Sequence, residues 1–245
     1  MKIYHISKMG EFHVEHNEDA SATVTLDDDK LLIAVMDGCS MGTESHFAST
    51  LIAKLLRKIG KEVSYKAFAE RTRATVDNLL ETVMEQLFLE LKELKNRLLL
   101  ETEEILSTLL LGICDTKQKR LSLMTVGDGL ICCNGKYTEY EQDDKPDYLG
   151  YHLHKSFGEW YSSQTQRLHL SDVSDCSIST DGIFTFKKFD ANEYPPVEDA
   201  EIIDYLLIEN EDTENEKMLS KKLLHIEKKY GLKPSDDLTI IRLIL

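Results

Sequence analysis

The chain is short of proline, short of positive charge and without a long apolar run, and each shortage removes a class of explanation. Four prolines in 245 residues, with no low-complexity linker and no internal repeat, leave no boundary for a second domain, so residues 1–245 are expected to form one. Lys and Arg number 29 against 44 Asp and Glu, a formal charge of −15. Nucleic acids and anionic membranes are held by clustered basic side chains, so neither is an expected partner. No run approaches the roughly 18 apolar residues of a membrane span. The opening MKIYHISKMGEFHVEHNEDA has no apolar signal core either, and the expected location is the cytoplasm. Five cysteines (Cys39, Cys114, Cys132, Cys133, Cys176), odd in number and without a CxxC pair, indicate neither a disulfide framework nor a zinc site, and read as buried thiols.

What is present is 42% hydrophobic residues, enough for a sizeable core. Short strand patterns occupy 2–7 and 21–26, and the apolar run LLIAVM at 31–36 suits a strand buried on both faces. A helix is predicted over about 45–59. The stretch from 64 to about 100, free of Gly and Pro, reads as a long helix with Phe68, Val76, Leu79, Val83, Leu87, Leu91, Leu94 and Leu98 along one face. Strands return at 107–114, 121–126, 130–133, 136–140 and 176–180. Helical patterns at 199–209 and 214–230 precede a last strand at 238–245. Strands and helices come in separate groups without strict β-α-β alternation, which favours an α+β fold of mainly antiparallel sheets.

Three places share one local design, an apolar strand ending in Asp-Gly: VMDG at 35–38, TVGDG at 125–129 and ISTDG at 178–182. A fourth, SDDLTII at 235–241, sets two aspartates just before an apolar strand. One Asp-Gly alone is a turn dipeptide. Four acidic strand ends, if the strands are neighbours, would bring Asp37, Asp128, Asp181 and Asp236 together. Such carboxylates repel unless cations lie between them or their pKa values rise, and an all-oxygen donor set suits hard cations, Mg²⁺ or Mn²⁺.

In chain order, NEDA at 17–20, the buried strand into DG at 37–38, VGDG at 126–129, STDG at 179–182 and DDLT at 236–239 resemble the metal-dependent serine/threonine phosphatases of the 2C type, over nearly the whole chain. The resemblance implies two stacked antiparallel sheets flanked by helix pairs, with two metal ions at one end. It implies that Asp37 bridges both ions, that Gly38 offers its carbonyl, and that Asp181 and Asp236 complete the direct ligands. Glu18 and Asp19 would act through metal-bound water, and Asp128 would help hold a third, weaker ion. The implied reaction is hydrolysis of phosphoserine or phosphothreonine in a phosphorylated protein by a metal-bridged hydroxide, with Asp37 and Asp181 catalytic through that bridging water.

The chain also departs from the family pattern. Val14 stands where an arginine usually grips the phosphate, which turns attention to His13 and His16 as substrate-binding candidates. Cys39 replaces the histidine of eukaryotic members, Asp237 replaces an asparagine, and Gly129 and Leu130 replace Ser and Arg. These changes keep two further readings open: a non-catalytic member acting as a binding module, and a phosphatase of small phosphoesters. The variable flap of the family corresponds to 143–163, whose aromatic and histidine residues either line a substrate groove or form a surface loop anchored by Trp160.

Overall fold

The computed structural model describes residues 1–245 apart from 43, 72 and 143–145. The first three residues of the expected flap segment therefore lie outside the described residues. Two five-stranded sheets carry the fold. One has the order β1 (Lys2–Lys8), β12 (Leu238–Ile244), β9 (Asp175–Ser179), β6 (Gly129–Cys133), β7 (Lys136–Tyr140); the other has β2 (Asp19–Asp27), β3 (Lys30–Asp37), β4 (Leu109–Asp115), β5 (Arg120–Val126), β8 (Arg167–Leu170). Every pairing within them is antiparallel. A two-stranded ribbon of β10 (Phe186–Lys188) and β11 (Leu232–Pro234) stands beside them.

The layering follows from side-chain alternation. In β3, Leu31, Ile33 and Val35 face Ile131, Ile178 and Ile241 of the other sheet, while Leu32, Ala34 and Met36 face α1 (Ser45–Glu70) and α2 (Val76–Leu98). A strand buried on both faces has no polar positions, which is why LLIAVM is unbroken. On the outer side of the first sheet, Leu130, Leu238 and Ile240 pack on α5 (Asp199–Leu207) and α6 (Met218–Tyr230). The result is the expected sandwich of two sheets between two helix pairs.

The helical boundaries differ from the periodicity reading. α1 continues through Gly60 to Glu70, and the predicted single helix over 64–100 is broken at Arg71, which adopts a left-handed conformation (φ 52°). Thr75 then caps α2 by accepting from the Asn78 amide (3.2 Å). Gly60 sits in mid-helix because a Cβ there would lie 2.7 Å from Val24 Cγ1, so close packing on β2 outweighs its poor helix propensity. With α1 extended, Phe68 falls on the outer face, 87% exposed, instead of joining the apolar stripe.

The segment after β7 is not a plain irregular loop. It forms α3 (Leu149–His152) and α4 (Phe157–Ser163), and Trp160 is wholly buried, stacked on Phe88 of α2 at 5.2 Å between ring centroids. That half of the flap candidate is tied to the helical layer.

Arg242 of β12 is fully buried and points to the α5 side. It forms a bidentate ion pair with Asp175 and donates to the carbonyls of Leu206, Ile208 and Glu209 at the end of α5. Lys222 of α6 donates to the Tyr205 and Glu209 carbonyls. Two cations thus satisfy carbonyls that a helix C-terminus leaves free and oppose its negative dipole end. Removing the guanidinium strands these acceptors and the Asp175 charge. Arg242→Ala is expected to lower unfolding free energy by about 3–5 kcal/mol, measured by urea denaturation; a change under about 1 kcal/mol would refute the role given to this residue.

Candidate metal and phosphate site

The acidic strand ends meet at one edge of the sandwich. Asp19 opens β2 directly opposite Asp37, the last residue of β3. Burial, followed by the charges of Asp19, Asp181 and Asp236, pushes the Asp37 carboxyl well above the ordinary carboxylate range. Asp19 is pushed up to about 7, by burial first and by Asp237 and Asp181 next, against hydrogen bonds from Thr180 and Thr239 that favour its anion. Asp181 likewise rises to about 7, through burial and then the charges of Asp128 and Asp236. Burial also raises Asp128. Among the sequence candidates, Asp19, Asp37, Asp128, Asp181 and Asp236 therefore share one electrostatic neighbourhood.

Local structure explains how these side chains are held. The Asp37 amide donates to Thr108 Oγ1 (3.1 Å) and its carbonyl accepts from the Thr108 amide (2.8 Å), fixing the end of β3 on β4. Thr180 Oγ1 donates to Asp19 Oδ2 (2.8 Å) and accepts from the Thr239 amide (2.9 Å), linking β2, β9 and β12. Asp181 opens a single 3-10 turn, Asp181–Phe184. The glycines after Asp37 and Asp181 are required by contact between loops. A Cβ on Gly38 would lie 2.1 Å from the Ser45 carbonyl oxygen, and one on Gly182 would lie 1.9 Å from that of Asp237. Any larger residue would push the strand ends apart.

Glu18 joins this edge. Its carbonyl accepts from the Gly38 amide (3.1 Å), and its Oε1 accepts from Ser45 Oγ at the start of α1. Its other carboxylate oxygen, Oε2, is buried without a hydrogen-bond partner among the described residues, as is Asp19 Oδ1. Native structures rarely leave such atoms unpaired, and oxygens of this kind are what a hard divalent cation and its waters require. Among the described residues no three His, Cys, Asp or Glu side chains are grouped closely enough to hold a metal ion by themselves. That is compatible with an ion such as Mg²⁺, which typically takes one or two carboxylates and keeps several waters. The donor set fits the expected metals.

The structure gives the two histidine candidates different surroundings. His13 Nδ1 lies 2.8 Å from Asp237 Oδ2 and its Nε2 lies 3.4 Å from Asp236 Oδ1. Burial pulls its pKa down, but the hydrogen bond to Asp237 and the charges of Asp237, Asp236 and Glu18 outweigh that and raise it. Asp237 is 2% exposed and also accepts from the amides of Gly10 (2.7 Å) and Glu18 (2.5 Å). It thus serves as a clamp for the loop before β2. His16 instead lies against His46, ring centroids 4.2 Å apart, and both line an open cavity of about 800 Å³ shared with Phe12, His13, Glu15, Glu18, Glu44 and Ser45. Val14 is on the same rim, 87% exposed.

Sequence reasoning missed His46, Ser45 and the threonines. Thr180 and Thr239 stood inside the quoted motifs, in STDG and DDLT, whereas His46 had only its position at a predicted helix start as a signal. Tyr148, within the flap candidate, is also part of this edge. It is buried with Cys39 and Leu106, and burial, then its hydrogen bond with Cys39, raises its phenol pKa.

The profile of the protein phosphatase 2C family matches residues 12–224. No curated protein matches the sequence with significance. Among solved structures, an arginine-to-glutamate variant of a bacterial serine phosphatase superposes with TM-score 0.63 at 14% identity, covering 100% of this chain and 98% of that one. The phosphatase domain and regulatory fragment of SpoIIE from Bacillus subtilis gives TM-score 0.59 at 18% identity, over 100% of this chain and 63% of that one. RsbX in complex with magnesium gives 0.53 at 17%, over 98% and 92%. At such identities the structures establish a shared fold, while the profile match extends over most of the chain. The chain belongs to the protein phosphatase 2C family, the metal-dependent protein phosphatases.

Proposed function

We propose that this chain hydrolyses phosphoserine or phosphothreonine in proteins, using Mg²⁺ or Mn²⁺ held by Asp37, Asp181, Asp236 and the Gly38 carbonyl. Glu18 and Asp19 would engage the ions through water, and Asp128 would help hold a third. The observation that carries this reading is the gathering of carboxylates whose burial and neighbouring charges raise their pKa values, beside two buried carboxylate oxygens without partners among the described residues. Divalent cations bound there would make a water acidic enough to ionise near neutral pH and would offset negative charge on the phosphoryl oxygens.

The chain's own residues have separable tasks. Thr180 and Thr108 hold Asp19 and Asp37 at the strand ends, and Asp237 with His13 fixes the loop that presents Glu18. His13 is thereby engaged on both ring nitrogens. We assign the work of the missing arginine to His16 together with His46, whose paired imidazoles line the cavity over Glu18. Imidazole N–H groups donate to phosphoryl oxygens without the paired geometry of a guanidinium, so phosphate is oriented less firmly. Glu15 and Glu44 line the same cavity and repel a phosphoryl dianion, which makes substrate binding depend on the cations. With Cys39 in place of a histidine, protonation of the leaving oxygen is left to water.

Turnover of a phosphoserine peptide is expected to require Mn²⁺ or Mg²⁺, to be slow with a high KM, and to vanish in Asp181→Ala. Val14→Arg is expected to improve kcat/KM by roughly tenfold, the lower end of what a charged hydrogen bond contributes. A wild type that binds Mn²⁺ yet turns over neither a phosphopeptide nor p-nitrophenyl phosphate, with Val14→Arg equally inert, would overturn the catalytic reading.

The carboxylate shifts also set a pH dependence. Asp19 and Asp181 at about 7 in the folded protein lie above their unfolded values, so between pH 4 and 7 the native state binds more protons than the unfolded one. The stability they contribute is full below the unfolded pKa and is lost as pH rises through 7. His13, also raised, acts with the same sign. Cations compete with those protons, so the rise in melting temperature produced by millimolar Mn²⁺ should grow between pH 5 and 8. A pH-independent increment, read by thermal denaturation with and without chelator, would contradict this coupling.

A further inference from the structure

Outside the acidic edge, the feature with the most definite chemistry is a pair of thiols between the sheets. Cys133 ends β6 and Cys176 lies near the start of β9, and they are directly opposed in the antiparallel register. The next opposed residues, Asn134 and Asp175, are hydrogen-bonded, with the Asn134 amide 2.9 Å from the Asp175 carbonyl. Because such pairs alternate, Cys133 and Cys176 form a non-hydrogen-bonded pair. There opposed Cα atoms lie about 4.5 Å apart with side chains on the same face, inside the span a disulfide bridges. The two Sγ atoms are already in contact at 2.7 Å.

We infer that Cys133 and Cys176 form an oxidisable cross-strand pair, a disulfide site linking β6 to β9. Access favours Cys133 as the first to react, since it is 8% exposed while Cys176 and the nearby Cys114 are fully buried. With hydrogen peroxide as oxidant, the Cys133 sulfur attacks one oxygen, the O–O bond breaks, the thiol proton passes to the departing oxygen, and a sulfenic acid and one water form. The Cys176 sulfur then displaces the hydroxyl as a second water. Two thiols are oxidised to one disulfide as one peroxide is reduced to two waters. Cys132 points to the helix side of the same sheet and takes no part.

The position gives the link a consequence. β6 follows Asp128 and β9 runs into Asp181, so the bond would join the ends of these two strands remote from the acidic edge. It should brace the sheet against unfolding while leaving the site free to work.

The test is a thiol count on the full chain before and after hydrogen peroxide, using an aromatic disulfide reagent in denaturant. Five thiols should fall to three, a non-reducing peptide map should join Cys133 to Cys176, and dithiothreitol should restore five. The melting temperature should rise by about 5 °C or more before reduction. Cys176→Ala should lose both the link and the gain in melting temperature, and Cys133→Ala serves the same purpose if that variant folds poorly. Five thiols persisting at a dose that oxidises the 93%-exposed Met41 would overturn the inference. So would a bond from Cys133 to Cys114, or irreversible oxidation of Cys133 alone.

Discussion

Mutual repulsion among the carboxylates at one edge of the sandwich is the constraint around which this structure is arranged. Two unit charges 4 Å apart at an effective dielectric constant near 20 repel by about 4 kcal/mol, a sizeable part of a typical folding stability of about 5–15 kcal/mol. Asp19 and Asp37 face each other across a strand pair, with Asp181 and Asp236 close enough to shift Asp37. Burial and these neighbouring charges together raise the pKa values of Asp19, Asp37 and Asp181. The backbone must be stiff enough to hold the charges near one another. That stiffness comes from β3, β9 and β12, strands buried through most of their length, and from loops in such close contact that Gly38 and Gly182 admit no side chain.

Two of the departures from the family pattern, Asp237 and Val14, belong to one local arrangement. Asp237, in place of an asparagine, accepts from two backbone amides and from His13, which fastens the stretch from Gly10 to Glu18 beneath the acidic edge. An added charge at that position is tolerable because three donors converge on it. In the same stretch Val14 turns outward to solvent, and the cavity beside it is furnished by His16 and His46 from two different segments.

Strand periodicity and the Asp-Gly motifs were legible because their causes are local. A strand buried on both faces must be apolar throughout, and a strand end that carries an aspartate into a tight loop contact needs glycine next. Helix limits were less legible. Gly60 reads as a breaker until its packing on Val24 is known, and the break at Arg71 and Thr75 carries neither Gly nor Pro. Phe68 was misassigned for the same reason, since its phase belongs to α1. The order of residues along the chain determined most of the strand segments and the ordered acidic motifs, because each depends on neighbours within a few positions. Tertiary structure alone decided that His13 faces Asp237 while His16 meets His46, that Trp160 stacks on Phe88 under the expected flap, and that Cys133 opposes Cys176. Those contacts join segments far apart in sequence, and only the pairing register and the packing of the layers bring them within reach.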